Sequence, residues 1–145
     1  ATNASIEGSD VQVFDDVPVG HTMFEDINKA YAIGITKGTG DGSKFEPYRD
    51  VTREEYATML YRTFDYIEQT IGQKLILRSL KMVSFADKDD ISSWAIEALG
   101  ILSNADLFRG TAEGMLDPKD VISIEQAIVL SYRGILLVQN RDIYR

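Results

Sequence analysis

The segment that follows Pro47 places apolar residues at the spacing of a helix. From Thr52 onward the stripe consists of Tyr56, Met59, Leu60, Thr63, Phe64 and Ile67. Such a stripe predicts an amphipathic helix with one face against a core. Thr52-x-x-Glu55 is a capping box, in which each side chain bonds the other residue's amide. The helix is therefore predicted to begin at Thr52.

The same succession of elements occurs in both halves of the chain. In the first half a stripe at Ile27, Ala30, Tyr31, Gly34 and Ile35 predicts an earlier helix. Gly34 and Gly38 are candidate stops for it, and a loop over residues 38–43 follows. In the second half the stripe at Trp94, Ala95, Ala98, Leu99 and Leu102 predicts a helix, and residues 110–118 predict a loop. A second capping box, Ser123-x-x-Gln126, precedes Ala127, Ile128, Ser131 and Ile135. Each half therefore reads as helix, loop, helix.

The two halves are copies of one repeat. Four anchors are separated by 71 residues: Phe14-Asp15-Asp16 and Phe85-Ala86-Asp87, Pro47 and Pro118, residues 51–55 and 122–126, and Tyr61-Arg62 and Tyr132-Arg133. Gly38 and Gly110 are 72 residues apart, so the copies are displaced by one residue here and return to the offset of 71 further along the chain. A fixed offset of this kind is the signature of a repeat architecture.

The repeat divides the chain into an arm, two copies and a connection. We predict an N-terminal arm over residues 1–13, a first repeat over 14–71, a connecting segment over 72–84, and a second repeat with a C-terminal tail over 85–145. The connecting segment contains Leu75, Ile76, Leu77, Leu80, Met82 and Val83. It is too apolar for a free linker, so we expect it to pack across the repeats and make one helical domain of the pair.

Composition narrows the possible partners. The 145 residues carry 15 Lys and Arg against 23 Asp and Glu, a net charge of −8. This balance argues against nucleic acid and against an anionic membrane, since both attract basic proteins. No apolar run is long enough for membrane insertion. There is no cysteine for a disulfide or a thiolate site. The polar start, residues 1–5, suits a mature secreted chain or an excised segment.

The motifs of both copies resemble the surface-layer homology family. Copy one carries Phe14-Asp15-Asp16-Val17-Pro18, Gly34-Ile35, Gly38, Phe45-Glu46-Pro47 and Thr52-Arg53-Glu54-Glu55. Copy two keeps Phe85-Ala86-Asp87, Trp94-Ala95, Gly110 and Pro118. Its signature, Ser123-Ile124-Glu125-Gln126, has lost the arginine.

The resemblance implies an all-α fold and a role on the bacterial surface. Three repeats of the family usually assemble around a pseudo-threefold axis. The grooves between them bind secondary wall polysaccharide, which often carries acidic pyruvyl groups. Two repeats would make an incomplete pseudo-threefold arrangement.

The resemblance also indicates which residues bind the ligand. We predict ligand contacts from Arg53, Thr52, Glu54 and Trp94. The signature arginine maps only onto Arg53, which is alternatively an exposed residue in a weak surface pair. Thr52 is alternatively only a helix cap, and Trp94 is either a sugar-stacking platform or a core residue. Position 124 cannot donate to a carboxylate, and Ile124 is expected to serve stability if it is packed.

Catalytic and metal sites are not predicted. Asp87-Lys88-Asp89-Asp90 and Asp41-Gly42 lack the spacing of an EF-hand calcium loop. His21 is the only histidine, with no partners for a zinc site or a hydrolytic triad. Asp16 and Asp87 are expected to turn the chain, and Phe14 and Phe85 to anchor the core. We expect no cofactor and no enzymatic activity.

Two functions are compatible with these observations. The first is a non-catalytic module that anchors a secreted protein to wall polysaccharide at the bacterial cell surface or S-layer. The alternative is an assembly subunit of a surface layer or appendage, which associates with itself or another surface protein without binding glycan. The single signature arginine and the net charge of −8 favour the alternative, because an anionic glycan would be repelled unless the groove is locally basic. The residues around Arg53 in the sequence show no clearly basic patch.

Overall fold

The computed structural model describes residues 10–78, 85–111 and 113–140. These residues form four α-helices, α1 (Phe24–Ala32), α2 (Arg53–Ile71), α3 (Ile96–Asn104) and α4 (Ile124–Gln139), and a 3-10 turn at Lys88–Asp90. The same residues contain no strand, only two isolated bridges. The predicted all-α class is confirmed. No helix in these ranges combines the length and the apolar character needed to cross a membrane.

The chain divides into two compact units. The first is Ala1–Arg49 and the second is Asp50–Arg145. The division falls inside the first copy, between its loop and its second helix. The boundaries of the two repeats remain a prediction from the sequence.

Both predicted capping boxes are present. The Glu55 amide donates to Thr52 Oγ1 at 3.4 Å, and the Thr52 amide donates to Glu55 Oε2 at 2.9 Å. In the second copy the Gln126 amide donates to Ser123 Oγ at 3.2 Å, and the Ser123 amide donates to Gln126 Oε1 at 3.3 Å. The two long helices therefore begin where the sequence places them, because each cap satisfies amides that the first turn leaves without a helical partner.

The first unit is built around Phe14. A small core of Phe14, Val17, Phe24 and Ile27 joins the start of the repeat to α1. Helix α1 ends at Ala32, and Gly34 follows with a φ of +79°, a left-handed conformation that favours glycine. The predicted stop at Gly34 is thus confirmed, although the apolar stripe continues past the helix to Ile35.

The second unit has the larger core. Side chains from α2, α3, α4 and the segments that connect them meet there: Ala57, Phe64, Ile76, Ile91, Ala95, Leu99, Ile101, Leu102, Leu107, Phe108, Leu116 and Leu130. Phe85 packs against this cluster and is partly buried, whereas Phe14 in the first unit is completely buried. Two predicted positions of the α4 stripe, Ile128 and Ile135, are 62% and 53% exposed, so the prediction that they face a core is wrong. Leu130 and Gly134 are the buried residues of α4, and Ile128 and Ile135 lie off that buried side.

The connecting segment is held by Glu68, near the end of α2. The backbone amides of Leu75 and Ile76 donate to Glu68 Oε1 at 2.8 and 3.0 Å. Lys74 Nζ and Arg78 Nη2 donate to Oε2 at 3.0 and 2.9 Å. Ile76 is buried in the core, as expected.

Leu75 also packs against the core and is partly buried, as expected. Leu77 is 87% exposed, so the expectation that it packs is wrong. The bonds to Glu68 hold the amides of Leu75 and Ile76, and the side chain of Leu77 beyond them lies in solvent. Leu80, Met82 and Val83 lie outside the described residues.

Acid is expected to weaken this anchor. Burial raises the pKa of Glu68, but the hydrogen bonds from Arg78, the two amides and Lys74 outweigh burial and lower the pKa to about 2. A lowered pKa stabilises the fold above the ordinary value of 4.5, and this stability is lost as the pH falls from 4.5 through about 2. Glu68→Gln should therefore lose roughly 2–3 kcal/mol at pH 7 and almost nothing near pH 2. Denaturant unfolding of both proteins across this range measures the difference, and a constant difference at every pH would contradict the assignment.

Candidate ligand groove

An aspartate shapes the loop of each repeat, and the one in the second repeat, Asp87, is buried. Asp87 accepts from the Leu116 amide at 2.8 Å and from the Asp117 amide at 2.7 Å. Asp16 does the same in the first unit, accepting from the amides of Phe45 at 2.9 Å and Glu46 at 2.7 Å. The expectation that these aspartates turn the chain is confirmed. The same bonds, with that from Phe45 the strongest, lower the pKa of Asp16.

Each loop also contains a glycine that is packed too closely by its neighbours to carry a side chain. A Cβ placed on Gly38 would lie 2.6 Å from both the Lys44 carbonyl and the Phe14 ring. A Cβ on Gly110 would lie 2.7 Å from the Met115 carbonyl and from the Phe85 ring. The two loops are therefore built alike, which gives the sequence repeat its structural counterpart.

Arg53 is joined to the loop of the second repeat. Its amide donates to the Asp120 carbonyl at 2.8 Å, and its Nε donates to the Leu116 carbonyl at 2.7 Å. The guanidinium carbon lies 5.0 Å from the centre of the Phe108 ring, within range of a cation–π contact. Arg53 is only 7% exposed, so the interpretation as an exposed arginine in a surface pair is wrong.

The surroundings of Arg53 keep it charged. Burial lowers the pKa of its guanidinium, while Asp117, Asp120 and Asp87 act in the opposite direction. An arginine remains protonated under such a shift. Among the described contacts its side chain makes one hydrogen bond, through Nε. No hydrogen bond of its terminal nitrogens is described.

A cavity of about 350 Å³ opens beside Arg53, within the second unit. Its walls come from the start of α2, the loop after α3 and the first turns of α4. The lining residues are Arg53, Phe108, Arg109, Gly110, Thr111, Glu125, Gln126, Val129, Leu130 and Arg133. We call this cavity the Arg53 groove. It joins the two repeats, because α2 belongs to the first and the other walls belong to the second.

Arginine outnumbers acidic residues in the lining of the groove, although the chain as a whole is acidic. Three arginines and one glutamate line it. Arg109 is paired with Asp106, at 2.6 Å from Nε to Oδ1. Arg133 Nη1 donates to the Leu107 carbonyl at 3.4 Å. Partial neutralisation at Arg109 leaves Arg53 and Arg133 as the main cationic groups.

Sequence reasoning missed Arg109 and Arg133. It examined the neighbours of Arg53 along the chain, whereas both arginines are more than fifty residues away. The Tyr132-Arg133 anchor of the repeat was the available signal for Arg133. For Arg109 the sequence gives no comparable signal.

The other predicted ligand residues lie outside the lining of the groove. The Thr52 hydroxyl accepts the capping hydrogen bond from the Glu55 amide. Glu54 is buried, accepting from the Ser92 amide at 2.9 Å and from Lys119 Nζ at 2.6 Å. The structure brings neither to the cavity beside Arg53, and their role as ligand contacts stays a prediction.

The side chains of Trp94 and Ile124 are both exposed, whereas one alternative for each of them was a packed side chain. Trp94 is 52% exposed, so the alternative of a core residue is wrong, because Ala95, Leu99 and Leu102 fill the core from that segment. Its role as a sugar platform stays a prediction. Ile124 is 77% exposed, so its side chain is not packed and the conditional expectation of a stabilising role does not hold.

In the described ranges no group of three or more His, Asp and Glu side chains is arranged to hold a metal ion. His21 Nδ1 instead accepts from the Met23 amide at 3.1 Å, and its Nε2 lies 3.2 Å from the Tyr48 hydroxyl.

Two capped helix–loop–helix repeats that share an arginine-lined groove define a helical repeat module. Comparison with known families identifies which one. The S-layer homology domain matches residues 13–57 and again residues 84–128, with the same offset of 71. These two matches cover well over half of the 145 residues, and the chain belongs to the S-layer homology domain family.

Individual relatives are large proteins of which the match covers a small part. The chain is 28% identical over 131 residues to exoglucanase XynX of Acetivibrio thermocellus, covering 88% of this chain and 11% of the relative. It is 28% identical over 125 residues to the S-layer protein sap of Bacillus anthracis, covering 84% and 14%. A cell surface protein of Thermoanaerobacter kivui is 26% identical over 124 residues, covering 85% and 15%. The family and these relatives support a cell-surface anchoring module.

Proposed function

We propose that this chain is a non-catalytic module that attaches a protein to anionic wall polysaccharide through the Arg53 groove. The observation that carries the proposal is the buried Arg53, fixed through Nε at the edge of a cavity that Arg133 and Arg109 also line. A planar guanidinium held in this way is suited to bidentate binding of a carboxylate. The ligand class is therefore a polysaccharide with acidic substituents, such as pyruvyl groups.

Electrostatics supports the same ligand class. The chain as a whole carries a charge of −8 and repels a polyanion at long range. The lining of the groove holds three arginines and a single glutamate, a balance opposite to that of the whole chain. This lining supports the proposal in spite of the net charge.

Surface attachment also accounts for the variety of the relatives. Their names include an exoglucanase and an endoglucanase, of which this chain matches 11% and 10% of the length. The names refer to those proteins as wholes. We propose that the shared segment contributes attachment, and that this chain has no catalytic activity, cofactor or metal of its own. The proposed location is the wall or S-layer of a bacterial cell.

Arg53→Ala is expected to weaken binding to isolated secondary wall polysaccharide by about 10- to 150-fold, the loss of one charged hydrogen-bonding group. Titration calorimetry against the polysaccharide measures the change. Ile124→Ala is the matched control, because position 124 is the repeat counterpart of position 53 and its side chain is exposed. Its affinity should equal that of the wild type.

Folding has to be measured alongside, because Arg53 also holds the Leu116 carbonyl. Circular dichroism of each variant at the titration temperature gives this control. If folded Arg53→Ala binds as tightly as the wild type, the Arg53 groove is not the binding site. Lack of binding by the wild type itself would direct attention to the assembly alternative, which the exposed face of α4 favours.

A further inference from the structure

The turn that ends α3 differs in one residue type from the turn that ends α1. Each bound of α3 lies 72 residues after that of α1, and both helices are followed by a residue of left-handed backbone conformation. This residue is Gly34 in the first unit, with a φ of +79°, and Asp106 in the second, with a φ of +57°. Their amides donate to carbonyls at equivalent positions, those of Tyr31 and Ser103. The two turns are therefore the same structure, built once with glycine and once with aspartate.

Aspartate is less suitable than glycine at this position for two local reasons. A residue with a side chain is strained at a positive φ, which glycine adopts freely. A carboxylate is also disfavoured at the C-terminal end of a helix, because the negative end of the helix dipole lies there. Local structure therefore favours the glycine of the first repeat, and the aspartate has to be explained by what its side chain contacts.

The side chain of Asp106 contacts Arg109. Arg109 Nε donates to Oδ1 at 2.6 Å, and Arg109 Nη2 donates to Oδ2. A bidentate contact of this kind fixes the plane of a guanidinium as well as its position. Both side chains are more than half exposed, and an exposed pair contributes little to stability. The contact therefore orders Arg109 without making Asp106 a stabilising residue.

The same turn holds two of the three arginines that line the groove. The Leu107 carbonyl accepts from Arg133 Nη1 at 3.4 Å, next to the carboxylate that holds Arg109. The hydrogen bonds from Arg109 are the largest cause of a lowered pKa at Asp106, and the charge of Arg133 acts in the same direction, against the effect of burial. Asp106 thus interacts with both arginines on this side of the groove.

We propose that Asp106 is a positioning residue of the Arg53 groove, which holds Arg109 so that the other edge of its guanidinium meets an acidic group of the bound polysaccharide. The inference rests on the proposed function and adds a residue outside the lining of the cavity. Ordering Arg109 before the ligand arrives removes part of the conformational entropy that binding otherwise costs. The glycine of the equivalent turn has no side chain with which to do this.

Asp106→Gly tests the proposal, because glycine is the residue at the equivalent position of the first repeat. We expect the affinity for isolated secondary wall polysaccharide, measured by titration calorimetry, to fall by about 3- to 10-fold, the effect of ordering one side chain. The variant also removes a negative charge, which by itself would favour an anionic ligand. Asp89→Ala is the matched control, since it removes an exposed carboxylate outside the lining of the groove. Its affinity should be no lower than that of the wild type.

Stability and coupling distinguish positioning from a structural role. Asp106→Gly relieves the strain of the turn, so its midpoint of denaturant unfolding should not be lower than that of the wild type, although its affinity falls. Asp106→Asn suits the same backbone conformation and keeps one acceptor, so it should lose less affinity than Asp106→Gly. Arg109→Ala should also weaken binding. Adding Asp106→Gly to Arg109→Ala should cause no further loss, because Asp106 acts through Arg109.

NMR spectroscopy of the protein without ligand tests the contact itself. The Nε–H proton of Arg109 should exchange with water more slowly in the wild type than in Asp106→Gly, because the carboxylate accepts it. The Nε–H proton of Arg53, which the Leu116 carbonyl accepts, is the internal reference and should be unchanged. Equal exchange at Arg109 in the two proteins would mean that Asp106 does not hold the guanidinium.

The binding results separate this inference from the proposed function. If Asp106→Gly binds as tightly as the wild type, or more tightly, the inference is overturned while the Arg53 groove stands. It is also overturned if Asp106→Gly weakens binding by the Arg109→Ala variant, since Asp106 then acts by another route. A wild type that binds no polysaccharide overturns the proposed function and this inference together.

Discussion

Asp87→Ala is expected to lower the free energy of unfolding by about 3–5 kcal/mol. The carboxylate is 5% exposed and accepts from the backbone amides of Leu116 and Asp117. Alanine would leave these amides without their partner in a buried loop, at about 1–3 kcal/mol for each group and more for a charged bond. Denaturant unfolding measures the loss. Asp89→Ala, at an exposed position two residues away, should change the stability by no more than about 0.5 kcal/mol.

The same variant links stability to the proposed function. Asp87 holds the Leu116 amide, and the carbonyl of Leu116 holds Arg53 Nε. Asp87 is thus a positioning residue for the Arg53 groove, although it does not line the cavity. At a temperature where Asp87→Ala remains folded, its polysaccharide affinity should fall as well. Wild-type stability and affinity in this variant would show that the loop keeps its shape without the carboxylate.

Gly110→Ala is expected to destabilise the second unit by about 3 kcal/mol, at the upper end of the range for an overpacked interior. The added Cβ would lie 2.7 Å from the backbone carbonyl of Met115, which cannot move aside like a flexible side chain. It would also press on the Phe85 ring. Because Gly110 lines the Arg53 groove, the strain should change the shape of the groove too.

Gly114→Ala separates crowding from backbone conformation. Gly114 has a φ of +74° with nothing within 4 Å of an added Cβ, so this variant carries only the left-handed penalty of about 1–2 kcal/mol. Gly110 does not have a positive φ, so its penalty is steric. Thermal and denaturant unfolding of both variants should rank Gly110→Ala as the more damaging. The reverse order would mean that the Met115 carbonyl and Phe85 yield readily.

The two repeats are similar in sequence, but the starts of their second helices differ in charge and in burial. Position 53 carries an arginine that is buried against the following repeat, and position 124 carries an isoleucine that is exposed. A single difference at equivalent positions thus separates a cationic helix start beside the groove from an apolar one. The repeat that lost the arginine supplies Arg109 and Arg133 to the groove of the other, so both copies contribute to one site.

Features that depend on neighbouring residues or on the repeat could be predicted from the sequence alone. The capping boxes at Thr52 and Ser123 fixed the starts of α2 and α4, because a cap is satisfied within three residues. The offset of 71 paired Asp16 with Asp87 and Gly38 with Gly110, and these pairs make matching contacts. Family motifs singled out Arg53 as the residue at a groove, and a cavity lies beside it.

Which residues of the chain line that cavity depends on tertiary packing and could not be predicted from the sequence. Arg109 and Arg133 reach Arg53 because α2 crosses the loop that follows α3, a contact between residues too far apart to be read from local pattern. The same packing determines which apolar side chains are buried and which are exposed. Helical periodicity gives α2 and α4 equivalent stripes, but the second repeat covers Phe64 and leaves Ile135 exposed. Periodicity specifies that a face is apolar, and the presence of a neighbour determines whether that face is buried.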